Sequence, residues 1–133
     1  MPLISLIKSS NGDNENEVLY RTFHERNARY LERENQSDKF KIIWNIDDAS
    51  PSVFMNSDDL VSLLEDLEIL VQEACKNNDH EILNHLKEIA VLCKLCLWNE
   101  RLFYLEFSPW GVSLDSYPTK IPEQYRFNIS TID

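Results

Sequence analysis

Glycine is nearly missing from this chain, with two in 133 residues. A backbone loop that cradles phosphate needs several glycines close together, so a nucleotide-binding loop is excluded. No apolar run approaches the roughly 20 residues of a membrane-spanning helix. The short run Leu3-Ile4-Ser5-Leu6-Ile7 has no basic lead-in and no obvious cleavage site, and reads as a first strand rather than a signal peptide. Cysteines number three, an odd count, which suits a reducing compartment and an expected cytoplasmic location. Bases are scarce as well: 13 Lys and Arg face 23 Asp and Glu, a formal net charge of −10. Nucleic acid and anionic membranes are therefore not expected as direct partners, because both require clustered Lys and Arg. The same imbalance favours solubility and fast association with a cationic protein. An acidic balance also occurs in proteins that have no such partner.

What is present is enough apolar mass for a core: 43% of residues are hydrophobic and 11% aromatic, which argues against disorder. The length predicts one domain, 1–133, with 115–133 an irregular tail packed on it because Pro118 and Pro122 interrupt regular structure. The longest helical periodicity predicts an antiparallel hairpin, 57–76 and 80–98, joined at Lys76-Asn77-Asn78-Asp79. In the first helix Leu60, Leu63, Leu64, Leu67, Leu70, Val71 and Ala74 share a face. Asp58, Ser62, Glu65, Asp66, Gln72 and Glu73 are read as the opposite face, with Ile69 among the acids. In the second helix Ile82, Leu86, Ile89, Ala90, Cys93 and Leu97 form the main apolar face. Val91, Leu92, Leu95 and Trp98 fill the other side of its second half, which predicts that this half is covered on both sides.

Lys39 to Ile46 alternates Phe40, Ile42, Trp44 and Ile46 with other residues and predicts a strand, ended by Asp47-Asp48-Ala49-Ser50-Pro51. Arg101 to Phe107 predicts a second, with Phe103, Leu105 and Phe107 on one face. The stretch 17–35 admits two readings: one helix with an aromatic face, which is preferred, or two short strands, 18–23 and 28–32. It also carries Arg21, Arg26, Arg29 and Arg33. Together these elements predict an α+β fold, a small, mostly antiparallel sheet packed against the helical hairpin.

Chemistry-bearing patterns are weak. Cys93 and Cys96 have C-x-x-C spacing, with Cys75, His80 and His85 not far away in sequence. At 1.5 Å per residue, however, Cys93 would sit roughly 20 Å from Cys75 and His80 along the hairpin, so a four-ligand zinc site is not expected. Asp47 and Asp48 end a predicted strand with no assignable partner. The histidines lack a serine or cysteine at motif spacing. No cofactor, no metal and no enzymatic activity are expected. The acidic face of the first helix is the candidate partner surface: Glu65, Asp66, Glu68 and Glu73 surround Ile69, with Asp58 and Asp59 one to two turns earlier, like a dry centre inside a steering rim. An ordinary wet helix face has the same pattern.

In size, acidity and the order strand, Asp-rich loop, helical hairpin, strand, with Asn56-Ser57-Asp58-Asp59-Leu60 opening a leucine-rich acidic helix, the chain resembles the immunity proteins of bacterial polymorphic-toxin and contact-dependent growth inhibition systems. The resemblance implies stoichiometric inhibition of a cationic toxin, often a nuclease, by carboxylates that cover its active site. The residues expected to do so are Glu65, Asp66, Ile69 and Glu73, helped by Asp58 and Asp59, with Asp47 and Asp48 second. The alternative is a non-catalytic adaptor or an acidic nucleic-acid mimic that blocks a DNA-binding protein.

Overall fold

Each helix of the hairpin is capped at its N-terminus by the side chain that precedes it. In this computed structural model, which describes residues 2–9, 16–33, 36–46, 50–99 and 101–108, the helices are α2 (Ser57–Lys76) and α3 (His80–Trp98). Asn56 Oδ1 accepts from the Asp59 amide at 2.9 Å, and Asp79 Oδ1 accepts from the Ile82 amide at 3.3 Å. Each bond satisfies a first-turn amide that has no partner within its helix. Asn78 takes φ 54°, a left-handed conformation that asparagine tolerates. The Asn78 amide then reaches the Cys75 carbonyl at 3.1 Å and the Asp79 amide the Ala74 carbonyl at 3.0 Å, the paired bonds of a Schellman turn. Asn56→Ala is expected to lower stability by about 1 kcal/mol in urea unfolding; an unchanged midpoint would mean the cap contributes nothing.

The remaining elements are β1 (Leu3–Lys8), β2 (Glu17–Thr22), a short helix α1 (Asn27–Leu31), a 3-10 helix (Ile43–Asn45), β3 (Ser52–Phe54) and β4 (Phe103–Ser108). The strands form one antiparallel sheet in the order β2-β1-β4-β3, and the fold is α+β. Ile4 opposes Phe107 and Leu6 opposes Leu105. These residues share a core with Leu60, Leu63, Leu67 and Leu70 of α2 and Ile82, Leu86, Ile89 and Cys93 of α3. Cys93 Sγ donates to the Leu60 carbonyl at 3.0 Å, fixing how the two helices line up. The second half of α3 is covered as its all-round apolarity predicts, with Val91, Leu92, Leu95 and Cys96 buried. Trp98 departs from that expectation: it is 65% exposed, its ring stacked 6.3 Å from Phe103.

Two stretches differ from their sequence reading. Residues 17–35 are not one helix. Glu17–Thr22 is an edge strand on β1, with Ile4 opposite Thr22, and only Asn27–Leu31 is helical. The preference for a helix over the whole stretch fails because β1 offers a ladder that sequence periodicity cannot register. Residues 39–46 are not a strand either. Phe40, Ile43 and Ile46 are the buried members, a spacing of three that suits the 3-10 turn rather than the pleat. The predicted tail, 115–133, lies outside the described residues. Among the described residues no helix is long and apolar enough to cross a membrane.

Candidate interaction surface

The fold takes apart the acidic ring expected on α2. Asp66 is buried, 0% exposed. Its Oδ1 accepts from the Lys41 amide at 2.8 Å, and its Oδ2 accepts from the amides of Ile42 at 2.8 Å and Ile43 at 3.0 Å. Those amides are what a strand at 39–46 would have used in a ladder, so one carboxylate explains both the 3-10 turn and the loss of Asp66 as a partner-binding residue. Glu73 accepts from Arg33 Nη2 at 2.5 Å and from Lys39 Nζ at 2.5 Å. Burial alone would raise its pKa, but the bonds from Arg33 and Lys39 outweigh that and hold it below the usual carboxylate value. Glu65 is paired with Lys41, whose ammonium is held above its ordinary pKa by that hydrogen bond. Ile69 is half-buried and packs on the core. Of the expected interface residues, Asp66 and Glu73 are thus engaged with Arg33, Lys39 and the backbone of 41–43, Glu65 is ion-paired with Lys41 at the surface, and Ile69 is partly buried against the core.

Asp58 and Asp59 remain accessible, Asp58 exposed and Asp59 half-buried at the start of α2. Asp59 lines a cleft of about 580 Å³ together with Lys41, Trp44, Pro51, Val53 and Ser62. The cleft runs between the 3-10 turn and β3, which pairs only with β4 among the described strands. Two of its large apolar side chains stand in water, Trp44 38% and Val53 41% exposed, and Met55, next after β3 in sequence, is 53% exposed. Asp47 and Asp48 lie outside the described residues, but Ile46 and Ser50 on either side of that stretch both line the cleft. Of the partner residues expected from sequence, the structure therefore brings Asp59 into one surface with exposed aromatic and aliphatic groups, and leaves Asp58 one residue away. Trp44 and Val53 were missed. Trp44 was assigned to a strand face, and a strand as short as Ser52–Phe54 leaves too little pattern to read.

A second constellation, also invisible in sequence, ties β2, α1 and α3 together. His85 is buried, with Nδ1 3.4 Å from Thr22 Oγ1 and Nε2 3.3 Å from Asn27 Nδ2. Asn27 Nδ2 also donates to the Pro2 carbonyl at 2.7 Å, so Nε2 is the acceptor, and the partners assign the imidazole proton to Nδ1. The hydroxyls of Thr22 and Tyr20 both donate to Glu88. Burial, with His24 close by, pushes the His85 pKa down to about 4. Burial and the hydrogen bond to Glu88 raise the Tyr20 phenol above its ordinary value. Neither cleft described in this chain is lined by these side chains; their work is to join three elements through neutral and anionic partners.

The thiols are free, Cys75 exposed and Cys93 and Cys96 buried. Burial pushes Cys93 up to about 12, far from the range in which a thiolate attacks or binds metal. Among the described residues no group of three or more His, Cys, Asp or Glu stands close enough to hold a metal ion. Comparison with family models, curated proteins and solved structures finds no match to this chain.

Proposed function

We propose that this chain is a toxin-neutralising immunity protein of the polymorphic-toxin type, binding a cationic protein, a nuclease domain, one-to-one in the cytoplasm. The contact surface is the cleft beside β3. The observation that carries the reading is the grouping of exposed Trp44 and Val53 with Asp59 in one cleft, next in sequence to exposed Met55 and Asp58, on a chain of net charge −10. Interface centres are enriched in aromatic residues and methionine, and a charged rim steers encounter. The internal pairing of Glu65 with Lys41 and of Glu73 with Arg33 and Lys39 supports the choice of surface, since Asp58 and Asp59 at the start of α2 carry no such pair among the described residues.

The test begins with capture of the partner from the native host at low salt and identification of what elutes. With that partner purified, Asp58→Lys together with Asp59→Lys is expected to slow association by at least about tenfold at low ionic strength. The same double variant should flatten the salt dependence of the rate, because screening acts on those rim charges. Trp44→Ala is expected to speed dissociation by about tenfold or more, as loss of an aromatic anchor does. Wild-type rates in both variants would remove the cleft from the interface. A partner that carries no excess of Lys and Arg would overturn the functional reading itself.

A further inference from the structure

The outer side of the hairpin, away from the sheet, carries a second groove of about 220 Å³ between α2 and α3, lined by Leu64, Leu67, Val71 and Ala90 with Glu68, Lys87 and Lys94 at its rim. Leu64, Val71 and Ala90 are only partly buried. Several bases elsewhere are paired with acids: Arg33 and Lys39 with Glu73, Lys41 with Glu65, Arg26 with Asp79. Glu68, Lys87 and Lys94 belong to none of those pairs, although they line the same groove. Two helices joined at 77–79, with Cys93 set against Leu60, place Glu68 level with Lys87 and Leu64 level with Ala90.

We propose that this face is the contact between two copies of the chain, a four-helix arrangement about a two-fold axis parallel to the helices. That axis lays α2 of one copy on α3 of the other. It sets Glu68 of each copy against Lys87 of its partner, so two charges that have no ion pair among the described residues are each answered twice by one symmetry operation. The apolar strip Leu64, Val71 and Ala90 is completed by the same strip, and the small Ala90 side chain permits close approach. Helices of 20 and 19 residues are about 30 Å long, and side by side they present roughly 600 Å². Two such faces together reach about 1,200 Å², the lower bound for a specific interface. A concentration-dependent dimer is the expected result. The cleft beside β3 lies on the flank of α2 away from α3 and stays uncovered, so the proposal stands apart from the functional reading above.

Sedimentation equilibrium of the full chain over a wide concentration range tests it. Glu68→Lys alone and Lys87→Glu alone should each weaken the dimer by about tenfold or more, because each sets like charges face to face twice. The two substitutions together exchange the signs and should restore the wild-type constant to within about threefold. Both positions are off the core, and circular dichroism checks that each variant is folded. A monomer at every concentration would overturn the proposal. So would a dimer indifferent to the single variants, or one that the double variant fails to restore.

Discussion

Asp66→Ala is expected to cost about 3–5 kcal/mol of folding stability, read as a fall in the urea midpoint at near-constant slope. The carboxylate accepts three backbone amides, and hydrogen bonds to a charged group are each worth about 1.5–3 kcal/mol net, though not additively. Removing it leaves the Ile43 amide orphaned in a place where Ile43 itself is 0% exposed. Against a typical total of 5–15 kcal/mol, this single change could unfold a large fraction of the protein. Asp66→Asn is the sharper version. Its oxygen can serve either Lys41 or the Ile42–Ile43 pair, and its NH₂ then faces the other donors, so it too should lose at least about 2 kcal/mol. Were Asp66 an exposed contact residue, Asn would be nearly silent in unfolding; an unchanged midpoint for Asn would sink the structural role. For the same reason a charge reversal at Glu65 and Asp66 together cannot report on partner binding, since it removes the support of residues 41–43.

The second large effect is a loss of stability as the solution is acidified through the His85 transition. His85 has a folded pKa lowered from 6.5 to about 4. Between those values the unfolded chain binds a proton that the folded chain does not, so stability rises with pH across this window. The contribution is complete above about pH 6.5 and is withdrawn as pH falls towards 4, at up to 1.36 kcal/mol per unit. Between pH 7 and pH 5 the expected loss is about 2 kcal/mol. The groups facing the ring are His24, Thr22, Asn27 and Glu88. Carboxylates held low, Glu73 and Asp79, withdraw their stabilisation only at lower pH, below the ordinary carboxylate value. The His85 ring protons followed by NMR should titrate near pH 4, and His85→Gln should flatten the slope between pH 7 and 5. A ring titrating near 6.5 would contradict the burial that lowers it.

How much of this was legible in the sequence depended on how far apart the deciding partners lie. The hairpin and its turn at Lys76-Asn77-Asn78-Asp79 were readable because each is settled within a few residues. β4 was readable because its alternation matches a one-sided burial of Phe103, Leu105 and Phe107. Residues 39–46 fit a period of two and a period of three equally well. The choice was made by Asp66, more than 20 residues downstream. Yet Asp66 carried a signal of its own: it follows Leu63 by three and precedes Leu70 by four, which places it beside the apolar stripe rather than opposite it. The cluster around His85 draws on Tyr20, Thr22, Asn27 and Glu88, with contacts spanning more than 55 residues, and no spacing rule reaches that far. The cleft at Trp44 and Val53 became visible only when β3 took its place against β4.

β1 sits in the middle of the sheet, with Leu3 opposite Ser108 on one side and Lys8 opposite Glu17 on the other. During synthesis β1 leaves the ribosome well before β4 and therefore waits for it before the central ladder can close. A hairpin of β1 and β2 can form early, but its inner edge, rich in leucine and isoleucine, stays open until β4 emerges. Long-range pairing of this kind slows folding and leaves an unpaired strand exposed to other chains. Expression at high rate should consequently favour aggregation of nascent chains, and slower synthesis or lower temperature should raise the folded yield.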